Sequence, residues 1–146
     1  MKAVLSFLVV VVALGVSGCS KSSPTSPSQV NVPFGIQELT VGTGAEATTG
    51  RVVTVNYTLW LYDAAGTNNK GSLVDSSLAP GRTPYVFTIG TNSTIAGFSQ
   101  GTMGMKVGGL RRVTVPPNLA YGSQGSGSTI PPNATLIFEI ELLAVQ

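Results

Sequence analysis

Few side chains in this 146-residue chain are equipped for covalent chemistry, and that shortage narrows what the chain does. There is no histidine and a single cysteine, Cys19. A Cys-His nucleophile is therefore excluded, and so are an intrachain disulfide and a cysteine metal cluster. The other groups that could bind or orient a ligand are aromatic, hydroxyl and carboxyl side chains spread along the chain, Tyr57, Asp75, Tyr85, Phe87, Phe98, Tyr121 and Phe138 among them, and neither composition nor spacing selects a site from them. Each taken alone has an ordinary explanation. Asp75 followed by Ser76 and Ser77 looks like a turn or a helix cap. Phe98 and Phe138 look like core, and Tyr57 and Tyr121 fit buried tyrosines whose hydroxyls find partners. Only a joint pattern could lift them to site residues, and concave apolar sites with a few polar groups are the usual places for small ligands or peptides.

The elements that must position these residues begin after residue 32. Lys2, an apolar run over residues 3–14 and the small residues Gly15, Ser17 and Gly18 have the layout of a secretory signal over residues 1–18. The run is shorter than the ~20 residues of a spanning helix, and its small-residue end suits cleavage better than an uncleaved anchor. Val16-Ser17-Gly18-Cys19 resembles the lipobox of bacterial lipoproteins. That resemblance implies lipid attachment at Cys19, cleavage before it and acylation of the new amino terminus; two or more chains hold a protein stably where one does not. Ser20 stands where an aspartate would retain a lipoprotein in the inner membrane, so the expected location is the periplasmic side of the cell envelope, with the outer membrane favoured. Residues 19–32 are dense in Ser, Pro, Asn and Gln and read as a tether. Residues 33–146 have the size and apolar content of one domain. Loss of Lys2 with the signal brings the formal charge of +2 close to neutral, with no basic patch for nucleic acid.

Within the domain, residues 36–41 read as a short strand. From Val53 onward, Val55, Tyr57, Leu59 and Leu61 alternate with Thr54, Asn56, Thr58 and Trp60, the pattern of a long half-buried strand. Residues 63–72 read as a loop, 85–89 and 110–115 as strands, and 135–143 as the last strand, with Leu136, Phe138, Ile140 and Leu142 on one face. Ile95, Phe98, Thr102 and Met105 share a helical face, but Gly97, Gly101 and Gly104 each cost up to ~1 kcal/mol relative to alanine, so the helix is expected to be short and to depend on packing. Arg111-Arg112 reads as a solvated strand face. The paired prolines 116–117 and 131–132 read as loop stiffeners. This order predicts an α+β domain with an antiparallel sheet packed on one short helix.

The motifs, in order, resemble the FK506-binding class of peptidyl-prolyl cis-trans isomerases over residues 35–145. Val55-Asn56-Tyr57-Thr58 is similar to that family's Val-x-Tyr-Thr strand, Val74-Asp75-Ser76-Ser77 to its Phe-Asp-Ser-Ser, and Ile95-Ala96-Gly97-Phe98 to its Ile-x-Gly-Trp. Met105-Lys106-Val107-Gly108, the run from Val115 to Gly122 and the run from Ile130 to Leu143 complete the set. The resemblance implies a half-barrel of antiparallel strands around the helix and isomerase activity on X-Pro bonds without a cofactor; the domain has no helical arm that would suggest a dimer, so a monomer is expected. It implies Phe98 as the pocket floor, with Tyr57, Val74, Tyr85, Phe87, Thr94, Ile95, Ile130 and Phe138 as walls. Asp75 would be a buried carboxylate at the rim, Tyr121 a phenol aimed at a substrate carbonyl, and the Ile95 N-H the donor to another. Proline-containing polypeptides are the implied partners, and macrolides such as FK506 the implied ligands.

Phe98 stands where the best-known members have Trp, Val74 where they have Phe and Ser126 where they often have His, so the pocket is expected to be roomier and less aromatic. Arg82 is the nearest arginine to Asp75, at a spacing that implies a small insertion, and the loop over residues 62–73 is longer than in the minimal domain. These departures are the feature that would favour the alternative function, a weakly active or inactive binding module acting as a chaperone.

Overall fold

Strands rich in valine, isoleucine, threonine and aromatic residues are punctuated here by turns of glycine, asparagine and proline, and they pair into one antiparallel sheet. The computed structural model describes residues 32–146. The signal-like segment, Cys19 and all of the tether but its last residue lie outside the described residues. Among the described residues six strands are formed: β1 (Gly35–Thr40), β2 (Val52–Tyr62), β3 (Lys70–Ser76), β4 (Tyr85–Thr88), β5 (Leu110–Val115) and β6 (Leu136–Val145). The sheet order is β1-β5-β6-β2-β3, with β4 paired to the first half of β2. One helix, α1 (Ala96–Thr102), precedes β5, and three single 3-10 turns lie at Thr67–Asn69, Pro117–Leu119 and Gly122–Gln124. Among the described residues no helix is long and apolar enough to cross a membrane.

β2 is the spine of the sheet, running antiparallel to β6 from Val53 to Leu61 while β3 and β4 share its other edge. Its period-two pattern buries Val53, Val55 and Leu59 and leaves Thr54, Asn56 and Thr58 half-exposed. The concave face of the sheet, with Val113, Val115, Leu136, Ile140 and Leu142, closes on Phe98 and Met105 to make the core.

α1 is a seven-residue helix containing two glycines, too short to be stable alone. Its stability comes from contact with β5. A β-carbon at Gly97 would stand 2.2 Å from Val115 Cγ1, and one at Gly101 would stand 2.7 Å from Val113 Cγ2. Glycine at both positions lets the helix backbone lie directly on the valines. Phe98 and Thr102 face the sheet from this helix, as the sequence pattern predicts. Ile95 and Met105, assigned to the same face, lie just before and beyond the helix ends, yet Met105 is still buried.

The two arginines of β5 do not form a solvated face. A period of two sends neighbours to opposite sides of the sheet, so Arg111 enters the concave side, where it is 7 % exposed, and Arg112 takes the convex side. Arg111 Nη1 donates to the carbonyls of Gly101 (2.7 Å) and Met103 (2.9 Å), which have no partner inside so short a helix, and Nε donates to Glu38 Oε1 at 2.7 Å. Arg111 thus joins β1, β5 and the helix end. On the convex side Arg112 and Lys70 both hold Glu139, at 2.8 and 2.6 Å. Burial alone would raise the Glu139 carboxyl, but the two cations and their hydrogen bonds outweigh it and hold its pKa below the ordinary value.

The loop expected over residues 63–72 is shorter, because β3 begins at Lys70, paired with Tyr62. Asn68 and Asn69, with φ of 58° and 59°, make the reversal, a conformation that asparagine tolerates better than most residues. Gly71 and Ser72 carry little strand propensity and gave no sign of the pairing.

Arg111→Met keeps an apolar stem but leaves two helix-end carbonyls without a donor. It is expected to cost about 2 kcal/mol, read as a lower urea midpoint at unchanged slope. An unchanged midpoint would show that the guanidinium contributes nothing to holding the helix.

Candidate active site

One cross-strand rung sets out the concave surface beside the helix. Asp75 of β3 stands opposite Leu59 of β2, Leu59 opposite Phe138 of β6, and Phe138 opposite Val113 of β5. The neighbouring rung carries Tyr57, Ile140 and Arg111. Where the sheet leaves α1 uncovered, a hollow of about 230 Å³ opens, lined by Tyr57, Leu59, Asp75, Tyr85, Thr94, Ile95, Phe98, Tyr121 and Phe138.

Phe98 is the hub of this hollow. Its ring centroid lies 5.0 Å from Phe138, 5.3 Å from Phe87, 5.7 Å from Tyr57 and 6.1 Å from Tyr85, in tilted or edge-on geometries that suit aromatic quadrupoles. Tyr85 stacks on Phe87 at 5.5 Å and donates its hydroxyl to Ser93 O at 3.1 Å. The walls are therefore rings that brace one another, and a single exchange at Phe98 would loosen four of them.

The rim is polar. Tyr57 donates its hydroxyl to Asp75 Oδ2 at 2.5 Å, and Arg82 Nη2 donates to both oxygens of Asp75, at 3.1 and 3.2 Å. Arg82 reaches back to Asp75 through a turn. Pro80 and Gly81 occupy its centre, Gly81 has φ of 78°, and the Arg82 N-H closes it on Ala79 O at 3.0 Å. That is the pattern of a type II turn, which favours proline and then glycine at these positions. Asp75 was expected to be buried, but its side chain is 38 % exposed, because β3 is an edge strand. Burial, and then the hydrogen bond and charge of Asp75, push the Tyr57 phenol up to about 12 against a smaller opposing effect of Arg82. The Tyr121 phenol is also raised, first by burial and then by Tyr85 and Asp75.

Two donors stand free at the hollow. Among the described residues, neither the Tyr121 hydroxyl nor the Ile95 amide N-H donates to another protein group. Ile95 sits at the start of α1 with extended dihedrals (φ −61°, ψ 145°). Tyr121 is carried by the segment between β5 and β6, which is folded by the Pro117–Leu119 and Gly122–Gln124 turns and by a two-way backbone bridge between Ser126 and Ile130. No group of three or more His, Cys, Asp or Glu side chains that could hold a metal gathers among the described residues.

Of the residues singled out in the sequence, Tyr57, Asp75, Tyr85, Thr94, Ile95, Phe98, Tyr121 and Phe138 come together here. Val74, Phe87 and Ile130 do not line the hollow. Phe87 is buried against the Tyr85 and Phe98 rings, Ile130 is buried in the core, and Val74 packs half-buried against that core while its neighbour Asp75 stands opposite Leu59. Leu59 lines the hollow and was not singled out, because its alternation reads as plain core; its position two residues from Tyr57 on the same strand face was the available signal.

A family model described as FKBP-type peptidyl-prolyl cis-trans isomerase matches residues 44–143. An FK506-binding protein of Neisseria meningitidis is 46% identical over 110 residues, covering 75% of this chain and 94% of that protein. FK506-binding protein 4 of Dictyostelium discoideum is 45% identical over 126 residues, covering 85% of this chain and only 32% of that longer protein. Among solved structures, a peptidyl-prolyl cis-trans isomerase from Pseudomonas syringae pv. tomato superposes with a TM-score of 0.64 at 34% identity, covering 77% of this chain and 75% of that one. The matched stretch takes in β2, the helix under the hollow and most of β6, and on that ground the chain belongs to the FKBP-type peptidyl-prolyl cis-trans isomerase family.

Proposed function

We propose that the aromatic hollow over Phe98 takes the proline ring of an X-Pro bond and that its residues speed rotation about that bond in polypeptides of the cell envelope. The observation that carries this reading is an apolar floor and walls with two unused donors, Tyr121 Oη and Ile95 N-H, at its mouth. Amide resonance gives the C-N bond partial double-bond character and a barrier of ~18–20 kcal/mol, so uncatalysed X-Pro exchange takes tens to hundreds of seconds. At the twisted transition state the resonance is lost, the nitrogen becomes pyramidal and the carbonyl carries less negative charge. A pocket of rings that closes on the proline favours that less polar state over the planar amide, and a difference of this kind lowers the barrier.

Each residue has a part in this account. Phe98 and Phe138 hold the ring from below and beside, and Leu59, Thr94 and Ile95 complete the enclosure. The Ile95 N-H donates to one substrate carbonyl and fixes the chain direction. The Tyr121 hydroxyl donates to another, and its raised pKa keeps it protonated for the task. Asp75 accepts from Tyr57 and fixes that ring as a wall, while Arg82 balances the carboxylate. Phe87 supports this layer through the Tyr85 and Phe98 rings, and Val74 and Ile130 pack with the core. No bond is made or broken, so no general acid, metal or cofactor enters.

The site of action follows from the N-terminal sequence alone: a signal over residues 1–18, a lipid on Cys19 and a tether that lets the domain work from the outer membrane. Cys19→Ser is expected to abolish incorporation of labelled palmitate and to release the protein from the membrane fraction. Retention of both would overturn the lipid anchor.

A protease-free isomerisation assay on proline tetrapeptides tests the catalytic reading. Tyr121→Phe loses one hydrogen bond of about 1 kcal/mol and should lower kcat/KM roughly fivefold. Phe98→Ala, with folding checked by circular dichroism, should lower it by at least tenfold. A folded wild-type protein that accelerates no peptide but still suppresses aggregation of unfolded clients would leave a binding module instead.

A further inference from the structure

The aim of the Ile95 N-H depends on how the chain between β4 and α1 is held. Residues 89–95 lie outside any strand or helix, and no backbone-backbone hydrogen bond holds Asn92, Ser93 or Thr94 among the described residues. Side chains hold the segment instead. The Gly90 N-H donates to Ser99 Oγ of α1 at 2.9 Å, Thr91 Oγ1 donates to Thr88 O at 2.9 Å and lies 2.8 Å from Ser93 Oγ. Nearest to Ile95, the Tyr85 hydroxyl donates to Ser93 O at 3.1 Å. That bond fixes the peptide plane on one side of Thr94. Beyond the next plane, the Ile95 carbonyl accepts from the Phe98 and Ser99 N-H groups at 3.1 and 3.3 Å. The plane that carries the Ile95 N-H therefore lies between two held points. The Tyr85 ring is itself fixed, stacked on Phe87 at 5.5 Å and set edge-on to Tyr57 at 6.0 Å and Phe98 at 6.1 Å.

We infer that Tyr85 is a positioning residue for the isomerase: through the Ser93 carbonyl, its hydroxyl holds the Ile95 N-H in the direction that meets a substrate carbonyl. The inference rests on the proposed reading in which the Ile95 N-H serves the substrate. A phenylalanine at this position would line the hollow and stack on Phe87 equally well, so the hydroxyl has a use apart from the ring's part as a wall. A donor that is already aimed loses less freedom when the peptide arrives. Because this donor fixes chain direction and does not act on the rotating bond, it holds the planar and the twisted amide alike. Losing the hold therefore raises KM and leaves kcat where it is. One solvent-exposed hydrogen bond contributes modestly, and the expected change is about threefold in KM.

Tyr85→Phe in the full chain keeps the ring and removes one oxygen. Two quantities are compared with the wild type: kcat and KM on a neutral proline tetrapeptide, and the order parameter of the Ile95 amide from NMR relaxation of the peptide-free protein. The variant is expected to raise KM about threefold at unchanged kcat, and to lower the Ile95 order parameter from ~0.85 toward ~0.6. KM does not depend on the fraction of active molecules, so a variant that merely folds less well shows a lower kcat at the wild-type KM. That pattern, or kinetics unchanged in both constants, would overturn the positioning role and leave the hollow intact. A raised KM with Ile95 as rigid as in the wild type would also overturn it, by assigning the hydroxyl to the substrate directly. Failure of the folded wild type to turn over any peptide would remove the reading of the hollow, and the role of Tyr85 with it.

Discussion

The close approach of a seven-residue helix to strand β5 is the constraint on which the site depends. Gly97 meets Val115 and Gly101 meets Val113 at distances that admit no β-carbon. The helix between them has no side-chain cap and too few turns to persist alone. Arg111 closes the arrangement from below by serving the helix-end carbonyls and Glu38 together. Because α1 sits this low on the sheet, Phe98 reaches the level of Phe138 and Tyr57, and four rings close around it. A helix displaced by one methyl group would lift that floor.

On this base the protein offers an aromatic shape more than reactive groups. The hollow contains phenols, rings and one carboxylate, and that carboxylate is engaged by Tyr57 and Arg82. For a reaction whose obstacle is loss of amide resonance, such a surface is sufficient: it needs only to fit the twisted amide better than the planar one. The division between apolar floor and polar rim also separates two tasks. On the proposed reading the floor and walls take the proline ring, while the rim sets the direction of the chain.

Much of this was legible in the sequence, for identifiable reasons. β2 announced itself through strict alternation from Val53 to Leu61, and β5 through a short segment, Leu110 to Val115, stopped at Pro116-Pro117. The joint order of the Tyr57, Asp75, Ile95-Phe98, Tyr121 and Phe138 motifs gave most of the hollow. What escaped was set by long-range contact. Arg111 and Arg112 look alike in sequence, and only the helix end waiting on one side of the sheet separates a buried clamp from its neighbour on the convex face. Asp75 lost its expected burial because β3 ends the sheet, a fact of strand order. Arg82 could be tied to Asp75 only once the Pro80-Gly81 turn was seen to reverse the chain. Leu59 was hidden by being an ordinary core leucine in every local respect.

The central claim is that rotation is driven by fit to the twisted amide and involves no proton transfer. It is tested most directly by measuring kcat/KM on a neutral proline tetrapeptide from about pH 6 to about pH 9, in water and in deuterium oxide. With the Tyr57 phenol pushed up to about 12 and Tyr121 also raised, both hydroxyls keep their protons throughout that range. The account predicts a flat profile and a solvent isotope effect near unity. A bell-shaped profile within that window, or a rate that falls severalfold in deuterium oxide, would contradict it by showing that a proton moves in the rate-determining step.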